Sequence, residues 1–492
     1  MRRRIAGLCA ALAVTAGSLP GCSLSDAESE AVPGAEIDHF ADIRILRYEV
    51  PGFDELAPHT KQLAYYLYEA DLSGRDIVWD QNYIHNLRVR RTLEAIVRHY
   101  AGDRDTEPFR RFMVYTKQVW FSNGIHHHAS HQKLQPDFRW SDLASFARSS
   151  PGADFPVREG QTLDELLEEL RPILFDPEVA AMKVDRAPGA DRVATSAVNF
   201  YADVSEAEVN AFYDGRRRIG DPRPVLHGLN SRLQRGPDGH LFERVWKIDG
   251  MYGDSIERIV RWLELAIGVA ENEHQSAALE QLVQFYRTGD LAAFDRYVIA
   301  RMSDVESTVD LINGFIDTSH DPLGLRGAYA SIVSFRDPEA RARMADSAPA
   351  TQGFENVLPL EDARERISLG RVAPTAVIVI AAAGTASPAG PGEIGLPHSD
   401  WILATYGSRP IRRTNIALAL AAARETERRD ESIEGTSASD SVRFTGFVNP
   451  RLVAVRSGGR IVDVRIEYPS SYEEQMLEYA DAYSFLPTDN QR

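Results

Sequence analysis

"TAVIVIAAAGTASPAGPGEIGLP" spans residues 375–397, and the way it is read sets the class of the fold. Its first ten residues are β-branched and then small. They end in a Gly/Pro loop, so 375–384 predicts a strand. Upstream, from about residue 39 to 310, the pattern is mostly helical. Apolar residues recur every three or four positions in "DELAPHTKQLAYYLYEADLSGRDIV" (54–78), "TLDELLEELRPIL" (162–174) and "SIERIVRWLELAIGVAENEHQSAALEQLVQFYRTGDLAAFDRYVIARM" (255–302). Thr162 and Asp164 supply start signals for the second of these. Shorter β-prone pieces such as "SAVNFY" interrupt them. Downstream, "RLVAVRSGGRIVDVRIEYP" (451–469) is two alternating runs around Ser457-Gly458-Gly459, a hairpin pattern. Helices followed by a strand and a hairpin predict an α+β protein that is mainly helical. No internal repeats occur.

At 492 residues the chain can bury a substantial core, and 43% hydrophobic with 26% charged residues is ordinary for a soluble globular protein. A net charge of −17 argues against nucleic acid or anionic lipid headgroups as partners. The start, "MRRRIAGLCAALAVTAGSLPGC", has a basic head, a short apolar run and a small-residue end, which is the form of a secretory signal (1–22). "SLPGC" resembles a bacterial lipobox with Cys22 as the lipidated residue, although Pro20 departs from the usual pattern. Both cysteines, Cys9 and Cys22, lie in this leader, so disulfides, a zinc ribbon and a cysteine nucleophile are excluded. Residues 23–38 then read as a polar tether. The expected location is the cell envelope, with membrane contact only through the N-terminal lipid. "RETERRDESIEGTSASDS" (424–441) has no apolar periodicity and reads as part of a polar linker over 424–443.

"FSNGIHHHASHQK" (121–133) is the most conspicuous candidate for chemistry. A helix would put His127 and His131 on one face, and a strand would pair His126 with His128; either could hold zinc. The alternative is histidines that hydrogen-bond backbone and pack a turn opened by Asn123-Gly124. No His-Glu-x-x-His, cysteine partner or matched carboxylate accompanies them. "SHD" (319–321) contains triad residue types, but sequence neighbours cannot face one another as a triad requires.

"KQVWFSNGIHHHASHQK", "GLNSRL", "VWKIDGMYGDSIERIVRWLE", "LINGFIDTSHDPLGLRGAY", "GLPHSDW" and "YEEQMLEYADAYSFLP" occur in this order over nearly the whole chain after the leader. Together they resemble bacterial members of the dipeptidyl peptidase III family, two-lobed zinc exopeptidases that release N-terminal dipeptides. The resemblance implies an α+β fold, mainly helical with a small β-barrel core, like that family's lower lobe. It also implies an organisation: lower-lobe parts at 39–333, 374–423 and 444–492, an upper-lobe remnant at 334–373, and the linker 424–443 in place of the zinc domain. The strand at 376–384 would correspond to the family's substrate-binding strand, where an extended peptide adds by backbone hydrogen bonding. The family's zinc motifs, His-Glu-x-x-Gly-His and a later Glu-Glu-x-x-Arg-Ala-type helix, should follow "NIALALAAA" (415–423) and precede "FTGFVNPRLV" (444–453). Neither is present.

By the same resemblance, the His126–His128 run is a signature of the other lobe, not a set of zinc ligands. The family's amine-binding glutamate is Asp317 here, and its transition-state tyrosine is Ser319, too short to reach the same oxygen. Its two asparagines that hold the substrate N-terminus are Gly395 and His398. Arg451 falls where the family has a substrate-facing arginine. The implied reading is a non-catalytic pseudopeptidase lipoprotein, with no catalytic residue, no metal ligand and no cofactor, that binds a peptide or protein at the exposed cleft. One alternative is a zinc-dependent dipeptidyl peptidase whose zinc domain is missing through a deletion or gene-model error. Another is a different hydrolase using Asp317, His320 and the His126–His131 cluster, which would require those groups to converge.

Overall fold

The computed structural model describes residues 35–216, 220–337, 375–387, 393–394, 396, 399–434 and 442–484. The predicted signal 1–22 with Cys22, most of the tether, the 338–373 part of the upper-lobe remnant, Gly395 and His398 lie outside them. All the described residues belong to one unit, Pro33–Arg492.

The strand predicted at 375–384 is β8 (Thr375–Gly384), and it lies inside the main sheet. β6 (Val309–Asp317) and β7 (Ala328–Arg336) form an antiparallel pair, and β8 adds antiparallel to β7. β10 (Ile411–Arg413) then pairs parallel with the first residues of β8, and β9 (Glu393–Ile394) closes the far edge against β10. β6, β7 and β8 are buried almost end to end, which is why their sequences are continuous apolar runs without alternation. The strand stops at Gly384, whose φ of +66° suits glycine; a Cβ there would lie 2.1 Å from the Tyr329 carbonyl oxygen. The sheet curls into an open half-barrel within an α+β fold, as the resemblance implied.

Around it, the helix Pro58–Ser73 packs on β6, β7 and β8 and on the helix Gly253–Ile267. Helices Glu273–Thr288 and Leu291–Ser303 pack on each other. The helix Leu163–Phe175 starts at the predicted place: Thr162 accepts from the Glu165 amide, and Glu165 returns a bond to Thr162. β1 (Glu36–Phe40) and β2 (Ile43–Arg47) form a hairpin, and β11 (Phe444–Val448) joins β2 in parallel. The hairpin around Ser457-Gly458-Gly459 is β12 (Arg451–Ser457) with β13 (Arg460–Glu467), followed by the helix Tyr472–Tyr483. A small third sheet holds β3 (Tyr201–Ala202), β4 (Ser231–Arg235) and β5 (Leu241–Val245).

Two boundaries differ from expectation. The end of the expected tether, 23–38, is part of β1, where Phe40 is buried and stacks on Tyr472. The linker 424–443 is helical as far as Glu434, within a helix Thr414–Glu434. Its residues are Arg- and Glu-rich, so helix propensity carries the helix past the end of its apolar pattern.

Asp71, on the helix Pro58–Ser73, is fully buried and neither carboxylate oxygen has a close hydrogen-bond partner. Burial raises its pKa to about 7, and the Ser331 hydroxyl only partly offsets this. A raised carboxyl contributes stability that is fully present below about pH 4 and lost as pH rises through 7. Asp71→Asn is therefore expected to gain about 1–3 kcal/mol over the native chain at pH 8 and little at pH 4. Denaturant unfolding of both chains at the two pH values checks this; an equal difference at both would place the carboxylate in water.

Candidate functional site

The end of β6 and the turn after it carry the polar groups singled out in the sequence. Asp317 caps the short 3₁₀ turn Thr318–His320, accepting from the Ser319 amide (3.0 Å) and the Ser319 hydroxyl (2.6 Å). The Thr385 side chain also bonds the same carboxylate. His320 places Nε2 3.7 Å from Asp317 Oδ2, while its Nδ1 is 2.9 Å from Asn82 Oδ1. Burial works against the Asp317 charge, but His320 and these hydrogen bonds hold its pKa below the ordinary value. Burial lowers His320 to about 3, so it is neutral near pH 7. Asp321 next door is occupied by the Tyr201 hydroxyl and by the amides of Leu323, Leu325 and Arg326.

The histidine run divides. His126 Nε2 lies 2.7 Å from the Ala180 carbonyl, and its ring packs edge-on against Tyr83. His127 Nδ1 accepts the amides of Ala129 and Ser130, closing the turn. His128 sits between Phe121 and Phe444, with both ring nitrogens buried and without a hydrogen-bond partner. The turn opens at Asn123 (φ +50°) and Gly124 (φ +145°), where a Cβ on Gly124 would meet the Asn86 amide at 2.1 Å. His131 alone of the run faces the Asp317 turn, its ring 6.3 Å from that of His320. Of the convergence an alternative hydrolase needs, Asp317, His320 and His131 come together and His126 and His128 do not. The Ser319 hydroxyl bonds the Asp317 carboxylate rather than an imidazole, so it is not placed as in a Ser–His pair.

These residues do not fit zinc. Among the described residues no three His, Cys, Asp or Glu side chains are placed to hold a metal ion. The histidines instead hydrogen-bond backbone or pack against aromatic rings.

Two members of this cluster carried no sequence signal. Lys183 is 2% exposed, and its amide donates to the His131 carbonyl. Arg186 reaches across to the carbonyls of Ser319 (2.7 Å) and Asp321 (3.3 Å). Both come from "MKVDRAPGADR", a stretch whose pattern says loop and nothing more.

Arg451 is placed differently. At the start of β12 it pairs with Glu478 (2.6 Å), Glu467 (3.5 Å) and Glu474 (3.5 Å), held by carboxylates of its own hairpin and the following helix. The expectation that a peptide adds beside 376–384 also meets an obstacle. One edge of β8 is covered by β7. Beyond the three residues paired with β10, the other edge is taken by side chains. Asn415 bonds both the amide and the carbonyl of Val379, Asn449 does the same for Ala382, and the Tyr48 hydroxyl donates to the Ile380 carbonyl. No open ladder remains there for a peptide.

The half-barrel sheet, the helices on it and the polar turn at the end of β6 form an α+β lobe that carries the candidate site. The structure aligns with dipeptidyl peptidase III from Caldithrix abyssi at a TM-score of 0.51 and 17% identity, covering 78% of this chain and 59% of that one. Dipeptidyl-peptidase III from Corallococcus sp. strain EGB aligns at 0.50 and 15%, covering 76% and 57%. In sequence, the rat dipeptidyl peptidase 3 is 28% identical over 177 residues, 36% of this chain and 24% of that protein. The Dictyostelium discoideum enzyme is 26% identical over 208 residues, 42% of this chain and 28% of that protein. The matched stretch is thus about a quarter of the relatives' length. The model of peptidase family M49 matches residues 239–438. Over that segment, about two fifths of its length, the chain resembles the M49, or dipeptidyl peptidase III, family.

Proposed function

We propose that the protein is a non-catalytic relative of dipeptidyl peptidase III, anchored in the cell envelope by lipid on Cys22, that binds a peptide or protein through the face around Asp317. One observation carries the loss of catalysis. Between residues 424 and 443, where the family order requires the zinc-binding helices, the chain has no histidine. Without a metal to activate water, the peptide carbonyl has no nucleophile. The bond between Ser319 and Asp317 supports the same reading, because the position of the family's tyrosine hydroxyl is filled by a short side chain already engaged.

Binding would use the side chains of the Asp317 turn, since β8 has no free edge to offer. The deciding experiment measures zinc content and release of dipeptide from a dipeptidyl-arylamide on one sample of the purified chain from residue 23 onward. Zinc well below one per chain with no turnover is the expected result. One zinc per chain with turnover would make the protein an active zinc-dependent dipeptidyl peptidase and remove this proposal.

A further inference from the structure

The motif "GLNSRL" (228–233) plays no part in the site described above. Its last residues open β4, the middle strand of the small sheet β3-β4-β5. One face of that sheet is closed. Leu233 packs with Val209 and Tyr213 of the helix Glu206–Asp214, and Glu243 accepts from the hydroxyls of Ser231 (2.6 Å) and Tyr213 (2.7 Å). Strand alternation puts Arg232 and Gln234 on the other face. The antiparallel register then sets Arg244 directly opposite Arg232, and Phe242 directly opposite Gln234. On β3 the neighbour of Gln234 is Ala202, whose small side chain covers little of this face.

Two like charges directly opposite one another weaken a strand pair. Arg232 is only 8% exposed, and its Nε and Nη1 are enclosed without a hydrogen-bond partner. It forms no ion pair among the described residues. Asp80 acts on it through space only, and the Asp80 Oδ2 is taken by the Tyr252 hydroxyl (2.7 Å) and the Asn199 amide (2.8 Å). A guanidinium so enclosed and unpartnered is costly, and an oxyanion held between two arginine forks would satisfy it. Two residues along the same face, at a strand rise of about 7 Å, the Phe242 ring is 42% exposed. We propose that Arg232 and Arg244 hold the carboxylate of a monocarboxylic acid whose aromatic or apolar tail lies on Phe242. The Asp80 charge already acts on both arginines, so a monoanion suits the pair better than a dianion. This face belongs to a different sheet from β6 and its turn, and the proposal is independent of zinc, turnover and the peptide-binding reading.

Calorimetric titration of the full chain from residue 23 with 3-phenylpropionate and with 3-phenylpropanamide at pH 7 tests it. The acid is expected to bind at least about ten-fold tighter than the amide. Arg232→Lys keeps a charge but loses the fork, and should weaken the acid several-fold. Arg244→Gln, at a half-buried position, guards against a folding failure at Arg232. It should weaken the acid about ten-fold and leave the amide unchanged. Phe242→Ser, at an exposed position, should weaken acid and amide by the same factor. Equal binding of acid and amide, or no binding of either, would mean that water alone fills the site and would overturn the proposal. So would an unchanged preference for the acid in a folded Arg244→Gln chain. Unchanged affinities in Phe242→Ser would overturn the placement of the tail.

Discussion

Asp76→Ala is expected to destabilise the lobe by about 3–5 kcal/mol, the range for breaking a buried ion pair from one side. Asp76 and Arg90 are both fully buried. Arg90 binds both carboxylate oxygens, at 2.5 and 2.9 Å, and Arg75 adds a contact at 3.1 Å. The Ser484 hydroxyl donates to the same carboxylate at 2.9 Å, tying in the end of the last described helix, Tyr472–Tyr483. Glu94 stands 3.4 Å from Arg90 Nε and cannot balance two guanidiniums alone. Burial pushes the Asp76 carboxyl up, but Arg90 and Arg75 more than offset this, and its pKa lies below the ordinary value. Its stabilising effect is therefore present above about pH 4 and lost as pH falls further. Chemical unfolding at pH 7 should show the full loss, and the two chains should converge in acid. Arg90→Met in the Asp76→Ala background should recover part of it. A loss under 1 kcal/mol at pH 7 would mean that water reaches the guanidiniums.

The second large effect is at Asn449, 4% exposed, whose amide replaces a strand along the inner edge of β8. Its oxygen accepts from the Ala382 amide (3.1 Å) and lies 3.1 Å from the Tyr48 hydroxyl, whose one proton is shared between this oxygen and the Ile380 carbonyl. Its nitrogen donates to the Ala382 carbonyl (2.9 Å) and to the Tyr479 hydroxyl (3.0 Å). Asn449→Ala leaves a buried amide and a buried carbonyl without partners, at about 1–3 kcal/mol each. The expected loss is about 2–5 kcal/mol, with the amide of Ala382 exchanging with solvent far faster than that of Val379, which Asn415 still holds. Asn449→Asp should lose nearly as much, because its carboxylate would face the Ala382 carbonyl. Unchanged protection at Ala382 would show that another group covers the edge.

What the sequence made legible was periodic or chemically unusual. The ten-residue run of β8, the Ser457-Gly458-Gly459 hairpin and the Thr162 start declare themselves locally. Asp317 and Ser319 were found because they sit in a long motif. Lys183 and Arg186 were invisible, since a lone lysine and arginine in a loop acquire meaning only when the fold brings them to His131 and Ser319. The same holds for Asn415 and Asn449, whose role depends on where β10 stops. The helix through Glu434 has no local signal of that kind, because a helix carried by propensity lacks the apolar stripe that marks a packed one. The carboxylates around Arg451 are hidden for a related reason: position in a motif does not say which groups lie opposite.

The pairing of β2 with β11 has a consequence for synthesis. Residues 43–47 leave the ribosome early, and the strand that covers their edge, 444–448, follows some four hundred residues later; the bond from Arg44 to Thr445 alone spans 401 positions. Until then the nascent chain carries an apolar strand with one ladder open, which is a template for wrong partners. Closure of this edge is therefore a late event in translation, which leaves a long interval during which the open ladder is available to other strands.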